Sequence, residues 1–129
     1  MILSILGCAF ALLAACIHIY IFFLESVWWN SKKVNKIFKM TAAEAKICQG
    51  FAFNQGFYNL FLALSVFTGS LLYLTLDPKV GLTLISTACL SMLGAALVLR
   101  FSSKSLTRAA IMQGLPPSLA LISLTLNFL

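Results

Sequence analysis

The chain has 129 residues, of which 61% are hydrophobic and 9% are charged, and its formal net charge is +6. A composition this apolar excludes an ordinary soluble domain, because helices of a soluble protein of this size need charged faces. The charged residues lie outside four long runs, 2–24, 47–76, 80–99 and 109–129, which contain none. Each run reaches the roughly 20 apolar residues that a helix needs to cross about 30 Å of hydrocarbon. The sequence therefore predicts an all-α protein whose single domain is a four-helix transmembrane bundle.

Most of the positive charge lies in two of the three predicted loops. The first loop holds Lys32, Lys33, Lys36, Lys39, Lys46 and Glu44, the second holds Asp77 and Lys79, and the third holds Arg100, Lys104 and Arg108. Lys and Arg mark the cytoplasmic side of a membrane. We therefore expect the first and third loops in the cytoplasm and both termini on the non-cytoplasmic side. Because these bases flank membrane spans, we expect the lipid bilayer as their partner and no nucleic acid.

The first span, about 2–29, carries the only histidine of the chain and, apart from Glu44 in the first turn of the second span, the only acid inside a predicted span. His18 and Glu25 are seven residues apart and therefore point the same way on an α-helix. Ionisable groups in a membrane normally face the bundle interior or a wet cavity. Trp28 and Trp29 fit the aromatic belt at a membrane interface. We expect this span to be retained and not cleaved as a signal peptide, because no Lys or Arg precedes it.

The second span, about 42–76, begins with a predicted capping box. The Thr41 side chain can accept a hydrogen bond from the backbone of Glu44, whose carboxylate reaches back. Further along, this span carries the polar residues Asn54, Gln55, Tyr58 and Asn59. Three of the four share one face, because they follow the i, i+3, i+4 spacing of a helix.

The third and fourth spans, about 80–99 and 105–129, differ in character. The third carries a stripe of small residues at every fourth position, Thr83, Thr87, Ser91 and Ala95. Such a stripe favours close packing, either within the chain or in a homodimer. The fourth carries Gln113 and then Pro116 and Pro117, which should kink the helix.

Polar side chains of the first, second and fourth spans are expected to meet in the cytoplasmic half of the bundle. The candidate ligand-binding or proton-coupling residues are His18, Glu25, Asn54, Gln55, Tyr58, Asn59 and Gln113. Unpartnered amides in hydrocarbon cost several kcal/mol. We therefore expect Gln55 or Asn59 within hydrogen-bonding reach of the polar face of the first span, with Gln113 closing the same space. The structural alternative is that these groups only join helices, at about 0.6–2 kcal/mol per contact.

The four cysteines form no CxxC pair and lie in or beside apolar runs, where cysteine behaves as a small hydrophobe. We expect no disulfide framework, metal site or cofactor, and no catalytic residue is assigned.

The same polar residues carry a resemblance to a known family. They lie in His18-Ile19-Tyr20-Ile21 with Leu24-Glu25 and Trp29, in Asn54-Gln55-Gly56-Phe57-Tyr58-Asn59-Leu60-Phe61-Leu62-Ala63, and in Gln113-Gly114-Leu115-Pro116. In order and spacing these segments resemble the bacterial membrane family labelled domain of unknown function 1304, over nearly the whole chain. That family usually has Met after the Glu, where this chain has Ser26. The resemblance implies a compact four-helix protein of the bacterial inner membrane and brings no established activity.

Three functions are compatible with the sequence. The first is a small transporter or ligand-binding bundle, in which Glu25 and His18 face a cavity and the Glu25 carboxylate exchanges protons. Small four-helix drug exporters resemble such a protein in type. A homodimer would enlarge the enclosed space. The second is a structural or accessory subunit of a membrane complex that uses the stripe of small residues. The third is a membrane enzyme for a lipid or quinone-like substrate, with His18 as acid or base and Glu25 orienting it. We rank binding or transport of a small or lipophilic ligand first.

Overall fold

The computed structural model describes residues 2–126, and within this range the chain is helical and contains no strand. The elements in chain order are α1 (Ile2–Phe22), a π-helical turn (Phe23–Val27), α2 (Lys32–Phe38), α3 (Ala42–Ile47), α4 (Gln49–Thr75), α5 (Pro78–Ser102), a 3₁₀ turn (Lys104–Leu106) and α6 (Thr107–Leu126). Four helical segments are long and apolar enough to cross a membrane: Ile2–Val27, Gln49–Thr75, Pro78–Ser102 and Lys104–Leu126. The predicted fold class is confirmed.

The four long helices form a ring in the order α1, α4, α5, α6. Helix α1 packs extensively against α4 and α6, and α5 packs extensively against the same two helices. Helices α1 and α5 touch only slightly, so they lie on one diagonal of the bundle. Helices α4 and α6 occupy the other diagonal, which separates the polar residues of the second and fourth spans.

Small residues fill the centre of the bundle, whereas many large apolar side chains face outward. The buried core includes Ala11, Ala14, Ala15, Ala63, Ala88 and Ala120 around Val66, Ile85 and Met92. Small side chains allow backbones to approach closely, which is how helices associate in a membrane. One such close approach joins α4 to α5, where a Cβ added at Gly81 would overlap the backbone of Tyr73.

The second predicted span is not one continuous helix. Its first turns form the separate helix α3, and the helix is interrupted at Cys48 before α4 begins at Gln49. The predicted capping box is present at the start of α3. The backbone N–H and the hydroxyl of Thr41 each donate to Glu44 Oε2 at 2.7 Å, and Glu44 N donates to Thr41 Oγ1 at 3.2 Å. These bonds, the backbone bond foremost, hold the pKa of the exposed Glu44 carboxyl below its usual value.

Other boundaries shift by a few residues. The first span ends with the π turn at Val27, and α5 runs three residues past the predicted end, to Ser102. Asp77 caps α5 by accepting from the backbone of Lys79 at 3.0 Å and of Val80 at 3.1 Å. Helix α6 continues through its two buried prolines, and the last three residues of the predicted fourth span, 127–129, lie outside the described range.

The stripe of small residues on α5 does not pack inside the bundle. Thr83, Thr87, Ser91 and Ala95 are all exposed. The three hydroxyls donate to carbonyls one turn earlier in the same helix, at 2.8–2.9 Å. The packing within the chain that the sequence allowed for this stripe is therefore absent from the described bundle.

Candidate ligand-binding cleft

The first span ends in a π turn that carries its carboxylate. Trp28 N donates to Phe23 O at 2.8 Å, a bond that spans five residues instead of the four of an α-helix. Such wider turns are frequent at functional sites. Glu25 and Ser26 lie within this turn and face α4.

Gly56 allows α4 to pass directly against the π turn. A Cβ added at Gly56 would overlap Ser26 Oγ and lie 3.2 Å from both Glu25 Cβ and Phe22 O. Beside this contact, Ser26 Oγ donates to Phe53 O at 2.9 Å. The π turn and α4 are therefore in direct contact, and a hydrogen bond from a side chain of the π turn to the backbone of α4 joins them.

The carboxylate of Glu25 has one protein partner among the described residues. Asn59 Nδ2 donates to Glu25 Oε2 at 2.9 Å, and also to Gln55 O at 3.1 Å within its own helix. The contact expected between the second span and the polar face of the first is thus formed by Asn59. Glu25 is half-buried, so part of it remains accessible.

The accessible side of Glu25 opens into a cleft of about 440 Å³. The cleft is lined by Glu25, Ser26, Val27, Trp29, Gln49, Gly50 and Phe53. It lies at the end of the bundle that carries the lysine-rich loop between α1 and α4, here called the lysine-loop end. Its volume falls within the range of small-molecule sites, roughly 300–1,000 Å³.

One wall of the cleft is fixed by the loop helices. Trp29 Nε1 donates to Ala45 O on α3 at 2.7 Å. The Trp29 ring also packs against Phe38 of α2, with ring centroids 5.3 Å apart. Helices α2 and α3 therefore hold the indole in place, and the wall does not depend on a ligand to form.

His18 lies apart from this cleft. Its side chain is 1% exposed, and its Nδ1 is 2.9 Å from Ala14 O in the same helix. Within residues 2–126 no hydrogen bond joins the imidazole to Glu25, so the acid–base pair that the enzyme hypothesis needs is not formed. His18 and Glu25 are seven positions apart, roughly 10 Å along a helix at 1.5 Å per residue, which is too far for a direct hydrogen bond.

The remaining candidates do not converge on Glu25. Asn54, Gln55 and Tyr58 are exposed on α4, and Gln113 is half-buried on α6. In the described part of the chain the Gln113 side chain makes no hydrogen bond to the other candidates, and α6 lies diagonally opposite the three on α4. The structure thus brings together Glu25 and Asn59 and leaves the other five candidates outside this contact.

Several residues of the cleft were not among the sequence candidates. Ser26, Trp29, Gln49, Gly50 and Phe53 line it. The sequence gives one usable signal: a small residue, Gly56, inside a polar helical segment, which often marks close backbone approach. The π turn itself has no clear mark in the sequence. Residues 2–126 also contain no group of three His, Cys, Asp or Glu side chains that could hold a metal ion.

The fold and the cleft define a helical bundle of membrane type with a single carboxylate beside a cleft at one end. Residues 12–125 match the family model described as "Protein of unknown function (DUF1304)". The match covers nearly the whole chain, and the protein belongs to this family. No curated protein and no solved structure matches the chain.

Proposed function

We propose that this protein resides in the bacterial inner membrane and binds a small, partly apolar ligand in the cleft beside Glu25, as a carrier of that ligand. The observation that carries the proposal is the Glu25 carboxylate, which lines a cleft of about 440 Å³ and has Asn59 as its hydrogen-bond partner. An ionisable group within a membrane span is costly and is normally retained for a function.

The alternative, that Glu25 only joins helices, explains less. An amide in its place would accept the same hydrogen bond from Asn59 without the cost of a charge, about 2.5–3.5 kcal/mol at mid-span and less near the interface. The π turn is already joined to α4 by the Ser26 bond and by the close contact at Gly56. The packing of the π turn against α4 therefore does not require a carboxylate at position 25.

The test compares the wild-type protein with Glu25→Gln and with Asp77→Asn. The control also removes one carboxylate, but at the cap of α5 and outside the cleft, where Asn can still cap the helix. A panel of small lipophilic compounds is screened by thermal shift of the purified protein. We expect hits that stabilise wild type and Asp77→Asn and lose most of their effect on Glu25→Gln. Hits that stabilise all three proteins equally, or an absence of hits, would contradict the proposal.

Transport is tested separately, with compounds that pass the binding screen. We expect vesicles containing wild-type protein to accumulate such a compound faster than empty vesicles when a pH gradient is imposed. Vesicles with Glu25→Gln should show the rate of empty vesicles. Binding without uptake would restrict the function to ligand binding.

A second candidate function is that of a subunit in a larger membrane assembly. The observation that favours it is the exposed stripe on α5, whose three hydroxyls donate within their own helix and leave small side chains at the surface. We expect a bulky substitution there, Ser91→Trp, to remove any oligomer seen by cross-linking in native membranes. Leu97→Trp, at an exposed position on the same helix, is the control.

A further inference from the structure

We infer that the cleft selects a lipophilic organic cation: a positively charged nitrogen or phosphorus centre joined to an apolar group. This inference rests on the proposed function, because it names the class of ligand for the same cleft. Three features carry it: the charge of the lining, its aromatic side chains and the apolar surface at its mouth.

The charge of the lining favours a cation. Glu25 is the one charged residue among those that line the cleft. The five lysines of the neighbouring loop are exposed and do not line it. Asn59 binds Oε2, and among the described residues Glu25 Oε1 accepts no hydrogen bond. In its ionised form the carboxylate attracts a ligand cation, whereas an anion would find no positive partner there.

Two aromatic side chains add to this preference. Trp29 and Phe53 line the same cleft as Glu25. The faces of aromatic rings attract cations, Trp most strongly. Trp29 is held by its bond to Ala45 O, and Phe53 packs against Phe57 at 5.1 Å between ring centroids. Because both rings are already in place, binding requires little ordering of the protein.

The mouth of the cleft suits the apolar part of the ligand. Val27 is 56% exposed and Phe53 is 52% exposed, so both present apolar surface beside Glu25. An apolar group bound there would leave water while its charged centre stays next to the carboxylate. A divalent metal ion fits poorly, because such ions require several oxygen ligands and this cleft provides a single carboxylate.

The experiment uses tetraphenylphosphonium and tetraphenylborate, which carry the same four phenyl groups and opposite charges, together with neutral triphenylphosphine oxide. Binding to the full-length protein in lipid nanodiscs is measured by equilibrium dialysis, with empty nanodiscs as background. We expect wild type to bind the phosphonium at least about tenfold more tightly than the borate. Glu25→Gln should lose this preference, and Asp77→Asn should keep it.

A second pair of variants tests the charge and the ring separately. Glu25→Asp keeps a carboxylate in the π turn and should retain part of the preference for the phosphonium. Trp29→Leu removes the indole and should weaken phosphonium binding several-fold while leaving borate binding near background. Because both variants act within the cleft, they also keep the inference testable if Glu25→Gln fails to fold.

The outcomes separate this inference from the proposed function. If the three probes compete for one site and bind it equally, the protein binds ligands but does not select cations, and the inference is wrong. If the borate binds more tightly, the inference is also wrong. If a neutral compound from the screen binds in a Glu25-dependent way and the phosphonium does not, the proposed function stands without the inference. If nothing binds above background, both are wrong.

Discussion

Gly56 shows most directly how one residue sets the geometry of the cleft. It lies where α4 meets the π turn, and its missing side chain is what lets Ser26 reach the Phe53 carbonyl. The Asn59 bond to Glu25 is formed one turn further along the same helix. The position of the carboxylate therefore depends on a residue that touches no ligand.

The first prediction concerns Gly56→Ala. The added methyl group would overlap Ser26 Oγ, which can move only by giving up its bond to Phe53 O. Overpacking of this kind costs roughly 1–3 kcal/mol. We expect a lower thermal unfolding midpoint in detergent. Gly94→Ala is the matched control, because a Cβ there meets nothing within 4 Å, and its midpoint should be unchanged or higher.

The second prediction is that Glu25 matters more to function than to folding. Glu25→Gln keeps the shape of the side chain and an oxygen that can accept from Asn59, while it removes the titratable proton. We expect normal expression, insertion and thermal midpoint, with ligand binding or proton-coupled activity reduced. Glu25→Leu should insert at least as well but leave the Asn59 amide without its interhelical partner. Loss of folding in Glu25→Gln would show that the carboxylate is structural.

At the scale of elements, the loop between the first two spans is folded, and it supports the cleft. Helices α2 and α3 are only seven and six residues long, which is marginal for isolated helices. They are held by end caps and by contacts with Trp29: Ser31 caps α2, and Thr41 caps α3. The lysine-rich loop therefore supports the Trp29 wall of the cleft, in addition to carrying the charges that predict the topology.

The third prediction follows from the capping box of α3. In the folded protein the pKa of Glu44 is held below its usual value of 4.5 by bonds from Thr41. The folded state thus favours the ionised carboxylate, and the cap stabilises α3 fully above the pKa of the unfolded chain. That contribution is lost as the pH falls through the lowered pKa of the folded state.

The measurement is a carbon NMR titration of the Glu44 side chain. We expect a midpoint below 4.5 in wild type. Thr41→Ala removes the hydroxyl bonds and leaves the backbone bond, so its midpoint should rise part of the way toward the usual value. Thr75→Ala, a hydroxyl deletion at the other end of the bundle, should leave the titration unchanged. Equal midpoints in wild type and Thr41→Ala would contradict the capping argument.

At the scale of the whole molecule, the ring order explains which polar residues can cooperate. Helix α1 neighbours both α4 and α6, but α4 and α6 face each other across a diagonal. A site shared by Gln113 and the α4 amides would have to cross the core, which small apolar residues fill. The cleft instead forms at one corner of the bundle, between the end of α1 and the beginning of α4.

The fourth prediction concerns topology. The first and third loops are basic, while the turn between the second and third spans carries one acid and one base, so all three loops favour the same orientation. We expect both termini outside and the lysine-loop end, with its cleft, on the cytoplasmic side. Reporters fused after Leu129 should be active only in the non-cytoplasmic compartment. Fusions at Lys36 should behave in the opposite way, and a cytoplasmic signal at Leu129 would overturn this orientation.

The sequence alone determined that four helical segments are suited to a membrane. This was possible because a chain that crosses the hydrocarbon core of a membrane must satisfy its backbone hydrogen bonds internally. A long uncharged run therefore predicts a helix. The capping box of α3 was equally readable, since its hydrogen bonds join residues three apart in the chain. The contact between the second span and the polar face of the first followed from the cost of isolated polar groups, although the sequence could not choose between Gln55 and Asn59.

Only the tertiary structure decided where the polar groups meet. Glu25 meets Asn59 of α4 through the π turn, and the ring order keeps Gln113 away from α4. Both depend on how helices contact each other, through close approaches such as that at Gly56, and helical periodicity within one segment does not contain that information. The cleft itself is formed by residues from the ends of two helices, with a wall fixed by a third, and so it exists only once the chain has folded.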